Sequence, residues 1–443
     1  MPSSPLNANS ISNSMSTYLS SPHKFNCVSE ILNRQPSNVK RKVPLTVSYG
    51  DETVDEIVEK AVNLERSHMT IQGPPGTGKT FVGARIILEL ILQGRRVGVM
   101  ALSHKAINNL LEAVDSLLDY YKVRGANLIK SKSRDNPANG FQHIKIGDIA
   151  RNIHETHLVA GTVYSLSRLP GNIIDTLVID EAGQIPLAWI MAAGRTAKNI
   201  VMMGDHKQLP QVSQSVHPEG SGESVMEHLM GCESIIPENF GVFLNVTRRM
   251  NPEITSFISG LMYEGQLQPH PCTAEYILNL EKKDHPVLDS RGLNWVEMNH
   301  SNCSQESHEE AAEVLSIVNG LKGNNYPLNE IMVIAPYRAQ EALLRSTLPT
   351  EMKENIGTVD RFQGREADIV IFSMTSSDGT NLPRDVEFLF SQNRLNVAIS
   401  RARKKAIIIA NKKLLTIGVT SLEQLKLVNK LCYLKKVCLQ PQK

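Results

Sequence analysis

Gly73-Pro74-Pro75-Gly76-Thr77-Gly78-Lys79-Thr80 matches G-x-x-x-x-G-K-[ST]. The glycines let backbone N–H groups converge on phosphate oxygens, and a helix that follows directs its positive end at them. Lys79 is placed to reach the β- and γ-phosphates, and Thr80 offers a hydroxyl to magnesium. Such a loop needs a metal-holding acid on a neighbouring strand. Leu177-Val178-Ile179-Asp180-Glu181 supplies one. Asp180 ends an apolar run, where its carboxylate can hold magnesium. Glu181 is one step beyond and can orient or deprotonate water. Binding needs only the first acid, and having both argues for hydrolysis. A third element, Met203-Gly204-Asp205-His206-Lys207-Gln208-Leu209-Pro210, follows another apolar run. From that strand end Gln208 can sense a γ-phosphate. Read alone it is a polar turn. Its value is positional, because strand ends of an α/β sheet point to the ligand crevice.

The elements that must position these groups are legible in outline. His68 to Gln72 reads as a short strand into the loop, and Thr80 to Gln93 as a helix with apolar residues at helical spacing. Val97–Leu102 is a buried-strand run and Lys105–Asp119 a second helix. Leu158–Ala160, Thr176–Ile179 and Asn199–Met203 supply further strands. The rhythm implies an α/β fold, a parallel sheet covered by helices on both faces. The stretch from Tyr121 to Gly147 breaks it and looks inserted. After Gly241 the alternation resumes. Strands are expected at Val242–Leu244, Ile331–Ala335, Ile369–Ser373 and Ala406–Ala410, and helices at Pro252–Leu261, His308–Leu321 and Arg338–Ser346. A boundary is expected between Gln211 and Asn239, where Pro218-Glu219-Gly220-Ser221-Gly222 lies. The resulting division is a flexible tail over residues 1–48, rich in Ser, Asn and Pro, a first domain over 49–225 with a short insertion at about 121–147, and a second over 226–443.

The bulk numbers fit a multi-domain globular chain. There are 443 residues, 41% hydrophobic and 21% charged, with 47 Lys and Arg against 45 Asp and Glu. The small net charge hides an uneven distribution. After Gln392 the chain is rich in Lys and Arg and has one acid, Glu423. A second basic stretch runs from Lys122 to Arg134 through Arg124, Lys130 and Lys132. Either is a solvated face or a phosphate-backbone footprint. The six cysteines show no Cys-x-x-Cys pair and no zinc spacing to His. The first thirty residues lack an apolar core segment, and no run approaches a membrane span. The expectation is a cytoplasmic protein with reduced thiols and no membrane association.

Here the residues resemble superfamily 1 helicases. The phosphate loop, Asp180-Glu181-Ala182-Gly183-Gln184 and Gly204-Asp205-His206-Lys207-Gln208-Leu209-Pro210 look like motifs I, II and III, with details similar to the Upf-like branch. A further likeness is to the helicase half of bacterial proteins that fuse a RecB-like nuclease to such a helicase. The resemblance covers roughly Asp51 to the C-terminus. Arg249-Met250-Asn251-Pro252 resembles an Arg-Met-His-Pro element, with Asn251 in place of His. Gly357 to Glu366 resembles motif V, and Arg394 to Arg403 motif VI. The resemblance implies two tandem RecA-like P-loop NTPase domains with parallel sheets, using ATP and Mg2+. It makes Arg249 and Arg401 arginine fingers from the second domain. It sets Gly364 and Glu366 on the nucleotide, Glu366 at the ribose. A phosphoryl-transfer transition state gathers charge that such arginines neutralise.

For nucleic acid, Ser103-His104-Lys105 follows a strand and opens a helix, which suits phosphate contacts, and the resemblance assigns it to motif Ia. Thr162, Pro336 and Tyr337 fall at analogous strand ends, and Thr358 and Val359 match strand-contacting positions. Tyr337 is either a base-stacking ring or a core tyrosine. The function implied is an ATP-dependent helicase or translocase. Hydrolysis in a cleft between the domains would drive 5′-to-3′ movement on single-stranded DNA or RNA. The alternative is an ATP-gated clamp that does not separate strands. A monomer is expected, and a separate nuclease as partner. One departure concerns the base. The family often reads adenine with a glutamine upstream of the loop, and no Gln lies between Gln35 and Gln72.

Overall fold

The computed structural model describes residues 5–39, 43–132, 140–210, 222–282, 284–288, 292–362, 364–379, 382 and 386–439. The segment 211–221 of the expected linker, Arg134 of the basic stretch and Gln363 of the motif V element lie outside them. The chain divides into two compact units. The first holds 1–74, 78–206 and 210–244. The second holds 245–443, with the short segments 75–77 and 207–209 grouped with it.

The first unit is built on eight strands: β1 (His68–Gln72), β2 (Val97–Met100), β3 (Leu128–Ser131), β4 (Gln142–Ile144), β5 (Leu158–Gly161), β6 (Ile174–Ile179), β7 (Ala197–Gly204) and β8 (Gly241–Phe243). They form one sheet in the order β4-β3-β5-β2-β6-β7-β1-β8. All its ladders are parallel. Central strands such as β6, Ile-Asp-Thr-Leu-Val-Ile, are buried on both faces, which is why they read as apolar runs without alternation. One face carries α3 (Glu52–Val62), α4 (Lys79–Leu92) and α5 (His104–Tyr120) in a core with Ile86, Leu90, Ile107 and Leu111. The other carries a core of Leu166, Ile190, Met226 and Leu229. Its helices include α2 (Asn26–Leu32), α6 (Ile146–Asn152), α7 (Val163–Leu166), α8 (Leu187–Gly194) and α9 (Val225–Met230).

Three expectations change here. Residues 5–20 form a helix, α1 (Pro5–Ser20), where their composition suggested a flexible tail. The Ser10 and Ser14 hydroxyls are buried and donate to the carbonyls of Ala192 and Met191 in α8. Small polar side chains can satisfy themselves on backbone in this way, which a count of apolar residues misses. The apparent insertion contributes β3 and β4, which extend the sheet edge by two parallel strands, and Lys130 is fully buried in β3. Finally, the division falls at Leu244/Asn245 rather than at 225/226. The reason is pairing: β8 adds to β1, and α9, closed by a Ser224/Glu227 capping box, packs into the first unit's core.

The second unit has a two-stranded ladder of β9 (Val246–Thr247) and β10 (Gln268–Pro269). Its main sheet is formed by β11 (Gly292–Met298), β12 (Ile331–Ala335), β13 (Ile356–Thr358), β14 (Ala367–Ser373) and β15 (Ala402–Asn411). The order is β11-β15-β14-β12-β13, again parallel throughout. Its helices are α10 (Pro252–Met262), α11 (His308–Gly323), α12 (Arg338–Thr347), α13 (Val386–Leu389), α14 (Gln392–Ile399) and α15 (Leu422–Cys438). One apolar layer joins Val314, Ile317 and Leu344 to Ile331, Ile371 and Ile409. Both units are therefore α/β with parallel sheets, as the alternation implied. All six cysteines are free. Among the described residues no helix is long and apolar enough to cross a membrane.

Candidate nucleotide site and arginine cluster

Parallel register gathers the first unit's motifs at one edge of its sheet. β1 pairs with β7 so that Gln72 lies opposite Gly204, and β6 pairs with β7 so that Ile179 lies opposite Met202. The Gly73 N–H donates to the carbonyl of Gly204 at 2.9 Å, and the Asp180 N–H to that of Met100 at 2.8 Å. The phosphate loop, the two acids and Asp205 thus leave the carboxyl ends of neighbouring strands, where α/β sheets bind ligands. The turn after β6 and the end of β7 touch backbone to backbone. A Cβ on Gly204 would lie 2.6 Å from the Gly183 nitrogen, and one on Gly183 2.7 Å from the Asp205 carbonyl oxygen. Any side chain at either glycine would push the acid-bearing turn off β7.

Gly73, Pro74, Pro75 and Thr77 are buried, Gly76 is intermediate and Gly78 exposed. Gly78 caps α4 with φ of 86°, a conformation that L side chains rarely adopt. That turn starts the helix at Lys79. The Lys79 ammonium donates back across the loop to the Gly73 carbonyl. Lys79 and Thr80 are both partly exposed. Asp180 is 7% exposed. Burial, and next the Glu181 carboxylate, push its acid up to about 7 against the pull of Lys79. Glu181 itself has φ of 55°, strained for a non-glycine residue. Its N–H donates to Asp180 Oδ1 at 2.9 Å, which holds the first carboxylate in place. Gln208 is buried.

This donor set suits a hard divalent cation. Thr80 offers a hydroxyl, and Asp180 a buried carboxylate whose charge one lysine does not balance. Among the described residues no group of three or more His, Cys, Asp and Glu side chains forms a metal cage. Magnesium needs none, since it usually keeps waters and takes its other ligands from phosphate oxygens.

The second unit brings its nominated residues together. Arg249 Nε donates to Glu366 Oε2 at 2.6 Å, and Arg249 Nη1 lies 3.5 Å from the Ser400 carbonyl. Arg401 is 3% exposed and donates to the Arg365 carbonyl at 3.2 Å. Gly364, with φ of 81°, is exposed just before Glu366. Arg403, the last residue of the motif VI element, also joins this group. It lies 3.7 Å from Glu366, 2.7 Å from Asp368 and 2.6 Å from Glu330. Its place two residues after Arg401 in the same motif was the available signal. Asn251, which stands where the resembled motif has His, caps α10 by accepting from the Ile254 N–H at 3.0 Å. Its amide donates to the Lys404 carbonyl.

The nominated nucleic-acid residues divide into two kinds. Ser103 and Lys105 are exposed, His104 is intermediate, and the Ser103 hydroxyl caps α5 through the Ala106 N–H at 3.2 Å. Thr162 begins α7 and Thr358 ends β13, both partly exposed. Pro336 and Val359 are buried. Tyr337 is 6% exposed, with its ring centroid 6.0 Å from that of Phe388 and nearly parallel to it. It is a packed ring rather than an open stacking face. Gln340 is also buried, accepting from the Ser307 N–H.

The phosphate loop stands on one parallel sheet and the arginine cluster on another, an α/β arrangement in both units. Two families described as AAA domain match the chain, one over residues 56–214 and one over 221–413. The chain is similar to the Upf-like helicases of superfamily 1. It is 28% identical to DNA-binding protein SMUBP-2 of Rattus norvegicus over 85% of this chain and 44% of that protein. It is 28% identical to DNA polymerase alpha-associated DNA helicase A of Schizosaccharomyces pombe over 84% of this chain and 66% of that one. It is 29% identical to the regulator of nonsense transcripts 1 homolog of Drosophila melanogaster over 80% and 34%. The chain thus spans between about a third and two thirds of the length of these relatives. Among solved structures, the arterivirus nonstructural protein 10 helicase aligns over 78% of this chain and 60% of its own, at 14% identity and a TM-score of 0.45.

Proposed function

We propose that the chain hydrolyses ATP with magnesium and uses the cycle to move along single-stranded nucleic acid, as a helicase or translocase. The observation that carries this is the pair of acids ending β6, one residue apart and beside the phosphate loop. Asp180 is buried and held by the Glu181 N–H, and Glu181 is partly exposed in a strained turn. A switch that only binds nucleotide needs the first acid alone. In this reading Lys79 contacts the β- and γ-phosphates, and Thr80 and Asp180 hold the cation, which withdraws charge from the phosphates. Glu181 orients the attacking water and accepts its proton, and Gln208 senses the γ-phosphate. Arg249 and Arg401 neutralise charge that builds in the transition state. Glu366 holds the ribose. Ser103, Lys105, Thr162 and Thr358 bind the strand's phosphates. That three curated relatives are named for DNA binding, a DNA helicase and nonsense transcripts supports nucleic acid as the partner. Direction of travel, 5′ to 3′, rests on the family likeness.

The test is strand displacement from duplexes with a single-stranded 5′ or 3′ tail, in DNA and in RNA, with and without ATP. ATP-dependent release of the 5′-tailed duplex is expected. Strand-stimulated ATPase without any release would instead establish the clamp.

A further inference from the structure

Two consecutive carbonyls of the phosphate loop are taken by the segment that carries Arg249. Residues 75–77 of the loop group with the second unit. Within that unit the Thr247 hydroxyl donates to the Pro75 carbonyl at 2.9 Å, and the Arg248 N–H donates to the Gly76 carbonyl at 2.9 Å. The approach is close. A Cβ on Gly76, whose φ is 76°, would lie 2.4 Å from the Arg249 Cβ and 2.6 Å from Thr247 Oγ1, so only glycine fits there. A trans peptide holds its C=O and N–H in opposite directions. Fixing these two carbonyls therefore fixes the N–H groups of Gly76 and Thr77, donors of the kind that such loops offer to phosphate.

Thr247 also reaches the arginine. It is fully buried in β9, and its Oγ1 accepts from the Arg249 N–H at 3.3 Å. One hydroxyl thus directs its single proton at the loop and a lone pair at the backbone of Arg249, a relay between the two. The segment is anchored on either side of Arg249. β9 pairs with β10, and the His270 N–H donates to the Thr247 carbonyl at 2.8 Å. Two residues beyond Arg249, the Asn251 N–H donates to the Arg403 carbonyl at 2.9 Å. Arg249 stands midway between these anchors. We propose that Thr247 is a positioning residue for hydrolysis: its hydroxyl sets Arg249 against the Pro75–Thr77 turn of the phosphate loop. This rests on the arginine-finger reading above. A side chain without the hydroxyl deprives the Pro75 carbonyl and the Arg249 N–H of this partner, while the Arg248 N–H still holds Gly76. The loss therefore falls on the rate of hydrolysis rather than on nucleotide binding.

Steady-state ATPase of the full chain, with calorimetric titration of the non-hydrolysable β,γ-imido analogue of ATP and magnesium, tests this. Thr247→Val and Thr247→Ala should each lower kcat about tenfold, the rate equivalent of one hydrogen bond, and keep affinity for the analogue within about threefold. Thr247→Ser keeps the hydroxyl and should stay within about twofold of wild type in both measurements. In an Arg249→Ala background, Thr247→Val should lower kcat no further, since a residue that acts through Arg249 has nothing left to position. Unchanged kcat in the two hydroxyl-free variants overturns the relay. So does a loss of analogue affinity that matches the loss of kcat. An equal loss in Thr247→Ser would report packing, and a full further loss on top of Arg249→Ala would report the loop alone; each overturns it as well. Arg249→Ala with full kcat would instead overturn the arginine-finger reading itself, and the relay with it.

Discussion

The two halves of the proposed catalytic machinery carry opposite electrostatic situations. In the first unit the charge is unbalanced. Asp180 is buried next to Glu181, with Lys79 pulling the other way, and its acid is pushed up to about 7. In the second unit the charge is compensated. Arg249 rests on Glu366, and Arg403 is shared among Glu330, Asp368 and Glu366. Two successive carboxylates after a buried strand call for a cation from outside, whereas arginines already paired within their own unit need an acid to let go before they serve a phosphate. The first arrangement favours binding a metal–phosphate complex. The second makes Glu366 a holder of Arg249 as well as a candidate ribose ligand.

That contrast can be broken at Lys79 and at Arg249. Lys79→Ala should lower ATP turnover at least about a hundredfold, since it removes a cation that acts on the buried acid and a donor to the transferring phosphate; a phosphate-release assay reads it, and retained turnover would remove the loop from the chemistry. Arg249→Ala should reduce kcat by about a thousandfold, the usual effect of an arginine finger, whereas Glu366→Ala should chiefly raise KM and leave kcat within about tenfold. Equal effects of the two variants on kcat would mean that the ion pair acts only as scaffold.

A smaller effect separates the units by pH. His68 begins β1, accepts burial as a neutral ring beside the Gln35 carbonyl, and is lowered by that burial from 6.5 to about 4. The unfolded chain therefore binds this proton more readily. The stabilising preference for the neutral ring is complete above about pH 6.5 and is lost as pH falls toward 4, by roughly 3 kcal/mol at most. Thermal melts of wild type and His68→Asn across that window should converge at low pH if this holds, and parallel curves would refute it. Smallest is the cap of α10: Asn251→Ala should cost the second unit about 1–2 kcal/mol by denaturant melting, with little change in ATP affinity.

How far the sequence reveals this differs by region for physical reasons. The loop, its strand and α4 are written locally, so Gly73–Thr80 and the helix that follows could be placed within a residue or two. So could α10, α11 and α12, whose starts carry Asn251, Ser307 and a strand end. Pairing across distance is not written locally. Nothing near Gly241 announces that β8 joins β1 in the first unit, and nothing between Tyr121 and Gly147 announces two edge strands. The serines of α1 hid a helix because their hydroxyls bond to the backbone of α8. The Arg403 cluster and the close approach of Gly183 to Gly204 are likewise tertiary facts. Tyr337 shows the limit of position as a guide, since a strand-end ring can be packed on Phe388 instead of open to a base.

The central claim is that nucleotide hydrolysis by this chain is coupled to a single strand. Its most direct test is the steady-state ATPase rate of the wild type with and without single-stranded DNA or RNA, alongside Glu181→Gln. The account predicts strong stimulation by at least one polynucleotide in the wild type and loss of turnover in Glu181→Gln with nucleotide binding kept. An ATPase rate indifferent to both polynucleotides, or full turnover without the Glu181 carboxylate, would contradict it.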